Sequence, residues 1–265
     1  MSSITSGNAA QYSDSSKLAA RGRLNREYTI AEIGWFPWVA RQLPLKPGSH
    51  VLDIGCGPAW FWASVTKDIP ETLHLTLADQ SSGMIGEAVT RCSALPFASV
   101  TGKQADAAAL PFEDASFDTV IAMHMLYHVA DQKAAISEMH RVLKPGGTLT
   151  VTTNGIGNMR EIYALTTVFG SPSEDPSAIA FGYERAEELM RAEFGNVAFA
   201  PYPAHMRITE PEDVFLALTS YPPGDGADEA QLAAFRQAIA AAFDNSGGVL
   251  EVGKETSLFL SRKEA

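Results

Sequence analysis

The sequence has little of what secreted and membrane-spanning proteins use. Only two cysteines, Cys56 and Cys92, occur among 265 residues, too few to cross-link a secreted scaffold, so a reducing compartment is expected. No apolar run approaches the ~18 residues of a membrane span, and the first residues form neither a basic nor an apolar signal segment. These absences predict a cytoplasmic protein that does not enter a membrane.

Positive charge is also scarce. The chain has 20 Lys and Arg against 31 Asp and Glu, a net charge of -11. Such a surface repels a polyphosphate unless its basic residues cluster on one face, so a nucleic-acid partner is not expected. Hydrophobic residues make up 46% and charged residues 19% of the chain, a composition that excludes disorder and coiled coil and indicates a globular protein.

Short apolar runs alternate with amphipathic stretches from residue 49 onward. This alternation is typical of βαβ units, which build a parallel sheet with helices on both faces. Helical spacing is clearest at residues 82–94, 131–143 and 183–194, and a Lys-Pro-Gly-Gly segment at 144–147 predicts a helix end followed by a turn. The predicted strands are residues 50–54, 73–78, 97–101, 119–123, 148–152, 197–200 and 255–261.

The two ends of the chain differ from this pattern. Residues 1–45 are predicted to form an N-terminal helical cap, and residues 46–265 a single domain. Seven of the 15 prolines fall between residues 171 and 223, which breaks that region into short helices and loops. We therefore expect lid insertions at about 155–183 and 205–246.

A glycine-rich turn follows the first predicted strand. Gly55 and Gly57 allow a ligand to approach the backbone closely, at the sheet edge where doubly wound folds bind ligands. Asp79 closes the second strand, where a carboxylate can accept hydrogen bonds from both hydroxyls of a ribose. Trp60 occupies the third glycine position of the dinucleotide fingerprint, and Asp53 adds negative charge, so a nucleoside bearing ammonium and sulfonium groups fits better than NAD.

Four motifs in order resemble the class I S-adenosylmethionine-dependent methyltransferases, particularly the small-molecule group that includes quinone-biosynthesis C-methyltransferases. They are VLDIGCG at 51–57, LADQSSGMI at 77–85, ADAAALPFEDASFD at 105–118 and HRVLKPGGTL at 140–149. The resemblance is close over residues 50–154. It implies an α/β, doubly wound, Rossmann-like mixed sheet of seven strands with an antiparallel last strand, capped by an N-terminal helical segment and inserted lid segments.

The resemblance also implies S-adenosylmethionine as the cofactor. Gly55 and Gly57 would approach its methionine part, Asp79 its ribose and Met84 its adenine face. Ala59 departs from the family pattern, which has glycine at this position. The implied cofactor-binding residues are Asp53, Gly55, Cys56, Gly57, Asp79, Gln80, Met84, Asp106, Ala107, Met123 and His124.

Two histidines follow the fourth predicted strand. His124 and His128 are spaced to lie on one side of a starting helix, where His128 would act as general base or orient the acceptor, or else be a packed structural histidine. Tyr28 is a second catalytic candidate, the alternative being a core tyrosine. No third ligand lies nearby in the sequence, so no metal site is predicted.

The acceptor is predicted to be a small organic molecule, secondary-metabolite or quinone-like. Asn154, Tyr127 and Tyr183 are its predicted binding residues. The same fold could instead serve a non-methylating cyclase or a cofactor-binding module. Two aromatic clusters near the loop either bind the acceptor or belong to the core; they are Trp35, Phe36, Trp38, Trp60, Phe61 and Trp62.

Overall fold

The computed structural model describes residues 16–265, with side chains from Gly22 onward. The first 15 residues of the predicted cap lie outside the described residues. No helix in the described part of the chain combines the length and apolar character that crossing a membrane requires. In chain order the elements are α1 (Ser16–Tyr28), β1 (Thr29–Ile30), α2 (Trp35–Gln42), β2 (His50–Ile54), α3 (Trp60–Ser64), β3 (His74–Asp79), α4 (Ser82–Cys92), β4 (Ser99–Gln104), β5 (Phe117–Met123), α5 (Gln132–Val142), β6 (Leu143–Asn154), α6 (Arg160–Tyr163), α7 (Pro176–Phe181), α8 (Tyr183–Phe194), β7 (Ala198–Pro201), β8 (His205–Ile208), α9 (Pro211–Leu218), α10 (Glu229–Asn245), β9 (Leu250–Gly253) and β10 (Thr256–Arg262).

The main sheet has seven strands in the order β4-β3-β2-β5-β6-β10-β7. Strands β4, β3, β2, β5 and β6 pair in parallel, whereas β10 runs antiparallel to both β6 and β7. This confirms the predicted mixed doubly wound sheet with an antiparallel last strand. Because the parallel strands share one direction, their carboxyl ends meet at one edge of the sheet.

The central strands are buried on both faces, so their alternate side chains enter two different cores. Leu52 and Val120 belong to one core, while their chain neighbours Val51 and Ile121 belong to the other. This explains why the strands read as continuous apolar runs in the sequence.

The predicted turn at residues 144–147 is instead an irregularity at the start of β6. Gly146 has φ +76°, and the pairing of β5 with β6 shifts register between Phe117 and Thr119. The helix end was predicted correctly, since α5 stops at Val142. Residues 144–147 belong to β6, but they bulge out of its pairing with β5, since the pairs go from Phe117–Leu143 directly to Thr119–Thr148.

A second, three-stranded antiparallel sheet has the order β1-β8-β9. Only β8 belongs to a predicted lid segment, since β1 lies in the predicted N-terminal cap and β9 follows the lid segments. With α1, α9 and α10 this sheet surrounds a third core that includes Leu24, Met206, Phe235 and Val252. We call this unit the cap. Its longest helix, α10, spans 17 residues and follows the last of the clustered prolines.

Within the cap, one carboxylate joins the N-terminal helix α1 to α9. Asp213 of α9 is only 8% exposed. Its Oδ2 accepts a hydrogen bond from the Tyr28 hydroxyl at 2.6 Å, and its Oδ1 lies 3.1 Å from Nε of Arg23. Because both partners belong to α1, this cluster fixes α1 against α9 within the cap.

We expect Tyr28→Phe to lower the free energy of unfolding by about 1.5–3 kcal/mol, the usual value of a hydrogen bond to a charged group. Urea unfolding monitored by circular dichroism measures this loss. The matched control is Tyr202→Phe, because the Tyr202 hydroxyl donates to the neutral carbonyl of Ile33 at 2.8 Å and should contribute only about 1 kcal/mol. Equal losses in the two variants would contradict the special role of the Asp213 carboxylate.

Candidate active site

The carboxyl edge of the main sheet brings the predicted cofactor residues together. Asp79 ends β3 and Met123 ends β5, while Gly55 and Gly57 follow β2 directly. Asp106 lies two residues beyond β4. Since β4, β3, β2 and β5 are adjacent in the sheet, these residues form a continuous row along the edge.

The glycine-rich loop is fastened to the end of β3. Gly55 N donates to the Ala78 carbonyl at 2.7 Å, and Gly57 N donates to Asp79 Oδ2 at 3.0 Å. The other oxygen, Asp79 Oδ1, accepts from Ser81 N at 2.9 Å. Burial raises the pKa of Asp79, although these amides oppose the shift.

The backbone at Gly57 faces open space. Its φ is +51°, and no described atom lies within 4 Å of the position that a side chain would occupy. A ligand can therefore approach this peptide as closely as the sequence predicted.

Ala59, which stands where the family pattern has glycine, adopts the left-handed conformation, with φ 57° and ψ 36°. That conformation costs an L-residue roughly 1–2 kcal/mol. Its methyl group is 1% exposed, and burying one such group contributes about 0.8 kcal/mol. The packing therefore offsets much of the strain, and the loop keeps a glycine-like backbone.

Asp53 points into the core. It is 2% exposed, and its Oδ2 accepts a hydrogen bond from Trp62 Nε1 at 2.8 Å. Burial raises the pKa of Asp53 to about 7; the Trp62 bond opposes the shift and the Asp79 charge adds to it.

The other predicted cofactor residues lie in the loops around this edge. Each makes local contacts that fix its backbone. Cys56 Sγ donates to the Gly57 carbonyl at 3.4 Å, the Gln80 carbonyl accepts from Gln104 Nε2 at 2.8 Å, Met84 N donates to Ser81 Oγ at 3.2 Å, Asp106 Oδ1 accepts from Ala108 N at 2.9 Å, and Ala107 is buried.

A cavity of about 860 Å³ lies between the sheet edge and the cap. Its walls come from α1, α2 and α3, from the ends of β5 and β6, and from cap residues. The six aromatic residues near the glycine-rich loop occupy two different positions. Trp35, Phe36 and Trp60 line the cavity, whereas Trp38, Phe61 and Trp62 pack in the core.

Both predicted histidines line this cavity. His124 has a positive φ of 49°, and its ring lies 5.5 Å from that of Trp35. Burial, aided by the charge of Lys254, lowers the pKa of His124 to about 4, so this imidazole is neutral near pH 7. His128 ends a 3₁₀ turn that spans Leu126–His128, with its ring 4.5 Å from that of Tyr127, which also lines the cavity.

A buried carboxylate organises the polar wall of the cavity. Asp175 is 2% exposed, and its Oδ2 accepts hydrogen bonds from Nδ2 of Asn154 and Asn158 at 2.9 and 2.8 Å. Its Oδ1 accepts from the backbone N and the hydroxyl of Ser177 at 2.9 and 2.7 Å. The side-chain Oδ1 of Asn154 accepts from the Thr256 hydroxyl at 2.9 Å. Asn154 thus lines the cavity, and these hydrogen bonds engage both the Nδ2 and the Oδ1 of its side chain.

The other two predicted tyrosines do not line the cavity. The Tyr28 hydroxyl is bound to Asp213 in the cap. Tyr183 begins α8, where its hydroxyl accepts from Ser257 Oγ at 2.7 Å and its ring packs against Phe259. Burial is the main cause that raises the pKa of both hydroxyls to about 12, so neither is suited to take a proton near pH 7.

Three further residues that line the cavity, Asp175, Asn158 and Lys254, were not predicted from the sequence. The position of Lys254 could have been predicted. It lies just before the last strand, and an antiparallel strand starts at the edge where its parallel neighbours end. Asp175 gave no such signal, because it belongs to the proline-rich segment. The described residues contain no group of three or more His, Cys, Asp or Glu placed to hold a metal ion.

Residues 52–151 match the family described as methyltransferase domain. The ubiquinone/menaquinone biosynthesis C-methyltransferase of Shewanella halifaxensis is 37% identical over 119 residues, which cover 44% of this chain and 47% of that protein. The chain thus spans about half the length of this curated relative.

Solved structures of similar fold include a phosphoethanolamine N-methyltransferase of Haemonchus contortus in complex with S-adenosyl-L-methionine. Its TM-score is 0.58 at 22% identity, with 100% of this chain and 61% of that chain covered. A [4+2]-cyclase has a TM-score of 0.52 at 21% identity, with coverages of 87% and 80%. At these identities the likeness concerns the fold alone.

Replacing the buried Asp53 carboxyl should change how stability depends on pH. Its pKa is raised to about 7, so the folded state holds the proton more tightly than the unfolded state. The stability from this group is present below the unfolded pKa and is lost as pH rises through about 7. We expect the change in Tm caused by Asp53→Asn to be more positive at pH 8 than at pH 5, measured by calorimetry. Asp244→Asn, at an exposed position of α10, is the control, and a pH-independent shift for Asp53→Asn would contradict the assignment.

Proposed function

We propose that this protein is a class I S-adenosylmethionine-dependent methyltransferase that transfers the cofactor's methyl group to a small organic acceptor; the match of residues 52–151 to the methyltransferase domain family supports it. The product from the cofactor is S-adenosylhomocysteine. One observation carries the proposal: the glycine-rich loop and Asp79 lie on the same sheet edge as the cavity beneath the cap. The cofactor and the acceptor can thus meet at this edge.

The groups exposed at this sheet edge fit the parts of S-adenosylmethionine. The open backbone at Gly57 suits close approach of its methionine part, and the two Asp79 oxygens keep acceptor capacity for ribose hydroxyls. His124 continues the row toward the cavity. This arrangement supports the cofactor roles proposed for the loop, Asp79 and the end of β5.

When bound, the cofactor supplies a methyl group that is already activated on a sulfonium, with a neutral thioether as leaving group. The protein's own task is to align the acceptor and exclude water. Trp35, Phe36 and Trp60 line the cavity with aromatic surface, and the cap closes it on the side away from the sheet. These residues would hold a flat acceptor out of contact with bulk water.

A quinone-like aromatic acceptor is the finer part of this proposal. It is supported by the quinone C-methyltransferase activity of the Shewanella relative and by the aromatic walls of the cavity. His128 would take the proton that a phenol or an activated carbon must lose. The alternatives are a cyclase or a cofactor-binding module on the same fold, and neither would form S-adenosylhomocysteine when an acceptor is added.

Asp79→Ala should weaken S-adenosylhomocysteine binding about 10- to 100-fold, because hydrogen bonds to a charged group contribute about 1.5–3 kcal/mol. Titration calorimetry measures the affinity. Asp79→Asn keeps one acceptor oxygen and should show a smaller loss. An unchanged affinity would remove Asp79 from the ribose role, and tight NADH binding by the unmodified protein without S-adenosylhomocysteine binding would overturn the proposed function.

His128→Ala should lower kcat about 10²- to 10⁴-fold, the usual contribution of a positioned general base, for an acceptor that must lose a proton. Affinity for S-adenosylhomocysteine should stay nearly unchanged. The control is His50→Ala, since His50 begins β2 at the opposite edge of the sheet. A near-normal kcat for His128→Ala would show that the imidazole is structural.

A further inference from the structure

Lys254 lines the cavity without an acidic partner. It lies in the short loop between β9 and β10, and its Nζ donates to the amide oxygen of Asn25 on α1. Among residues 22–265 no carboxylate forms an ion pair with it. An ammonium has three donors, so the neutral Asn25 oxygen leaves hydrogen-bonding capacity directed at another group.

The carboxylate on the same wall does not neutralise this ammonium directly. Both oxygens of Asp175 already accept hydrogen bonds from asparagine and serine donors. A cation out of bulk water is costly unless it is paired. Asp175 thus stabilises Lys254 through its charge and not through a hydrogen bond, and the remaining donors of the ammonium are available to an anion of the ligand.

The charged residues among the described ones that line the cavity are Arg26, Lys254 and Asp175. The Arg26 guanidinium lies 3.0 Å from the Glu27 carboxylate, so Lys254 is the lining cation that has no ion pair within residues 22–265. His124 is neutral near pH 7 and adds no negative charge. The cavity thus presents an ammonium beside aromatic walls.

We propose that Lys254 binds an anionic oxygen group of the acceptor, so that the substrate is a flat aromatic molecule bearing a carboxylate or a phenolate-type oxygen. This inference rests on the proposed methyl transfer and narrows its substrate class. The aromatic residues Trp35, Phe36 and Trp60 hold the ring, and Lys254 holds the anionic group at the polar end of the cavity.

The cofactor's own carboxylate is another source of the same chemistry, and the sheet order argues against it. Lys254 precedes β10, which lies three strands from β2 in the order β2-β5-β6-β10. At about 4.8 Å between strands, the start of β10 is roughly 14 Å from the end of β2, which favours the acceptor. The Lys254 side chain enters the cavity between these strands, where its charge acts on His124 at the end of β5, so the affinity of Lys254→Met for S-adenosylhomocysteine is the measurement that separates the two sources.

The test compares a carboxylate with its uncharged isostere. Binding of 2-naphthoate and 2-naphthamide to the protein saturated with S-adenosylhomocysteine is measured by calorimetry. The wild type should prefer the carboxylate by about 10- to 100-fold. Lys254→Met should remove the preference, and Lys254→Arg should retain most of it. Lys133→Met, at an exposed position of α5, is the matched control and should behave as wild type.

A second variant tests whether the unpaired charge of Lys254 causes the preference, and it leaves the lysine in place. Asn25→Asp places a carboxylate of the same shape beside the ammonium, and the new ion pair should abolish the preference for naphthoate. A merely structural role for Lys254 predicts that this variant still prefers the carboxylate.

The pH profile gives an independent readout. Burial lowers the pKa of Lys254 to about 8, while the Asp175 charge opposes the shift, so its positive charge is lost as pH rises through about 8. The preference for naphthoate should fall over the same range in the wild type and persist in Lys254→Arg. The titratable and charged groups that share the wall with Lys254 are Arg26, His124, Tyr127, His128, Tyr163, Asp175, Tyr202 and Tyr221.

Two results would overturn the inference while leaving the proposed function intact. One is a wild type that binds S-adenosylhomocysteine but does not prefer the carboxylate. The other is a tenfold loss of S-adenosylhomocysteine affinity in Lys254→Met, which would assign the ammonium to the cofactor. Failure of the wild type to bind S-adenosylhomocysteine at all would instead count against the proposed function.

Discussion

The antiparallel placement of β10 between β6 and β7 determines most of what surrounds the cavity. Because β10 runs against its neighbours, its first residues lie at the edge where β6 ends. There Thr256 donates to Asn154, and Glu255 N donates to Asn158 Oδ1 at 3.1 Å. These asparagines hold Asp175 in turn, so one strand direction sets the polar wall and brings Lys254 beside it.

The two halves of the site use different physical means. On the proposed cofactor side, the site consists mainly of backbone amides and open backbone at the glycine-rich loop, and Asp79 ties the loop to β3. On the proposed acceptor side, buried side chains hold one another in place around Asp175. The residues with positive φ near the cavity, His124 and Met159, show that the chain is also held there in conformations that side chains rarely adopt.

The predictable part of the structure is local in sequence. Strands β2, β3, β5 and β6 follow from apolar runs, whereas β4 (Ser99–Gln104) begins two residues later than the predicted strand does and is largely exposed. The row of predicted cofactor residues follows from their position at strand ends. The cap sheet could not be predicted in this way, because β1, β8 and β9 are two to four residues long and come from distant parts of the chain. Tyr28 illustrates the same limit: its partner Asp213 is 185 residues away, and no local pattern links them.

The pairing of β10 also constrains how the chain assembles as it is made. Asn154 of β6 and Thr256 of β10 are 102 residues apart, and β7 reaches the sheet only through β10. On a ribosome, β4, β3, β2, β5 and β6 can therefore pair early, while β6 keeps an open edge until the cap has been synthesised. An edge exposed for that long can pair with other chains, so a nascent polypeptide of this fold depends on its final strand to seal the sheet.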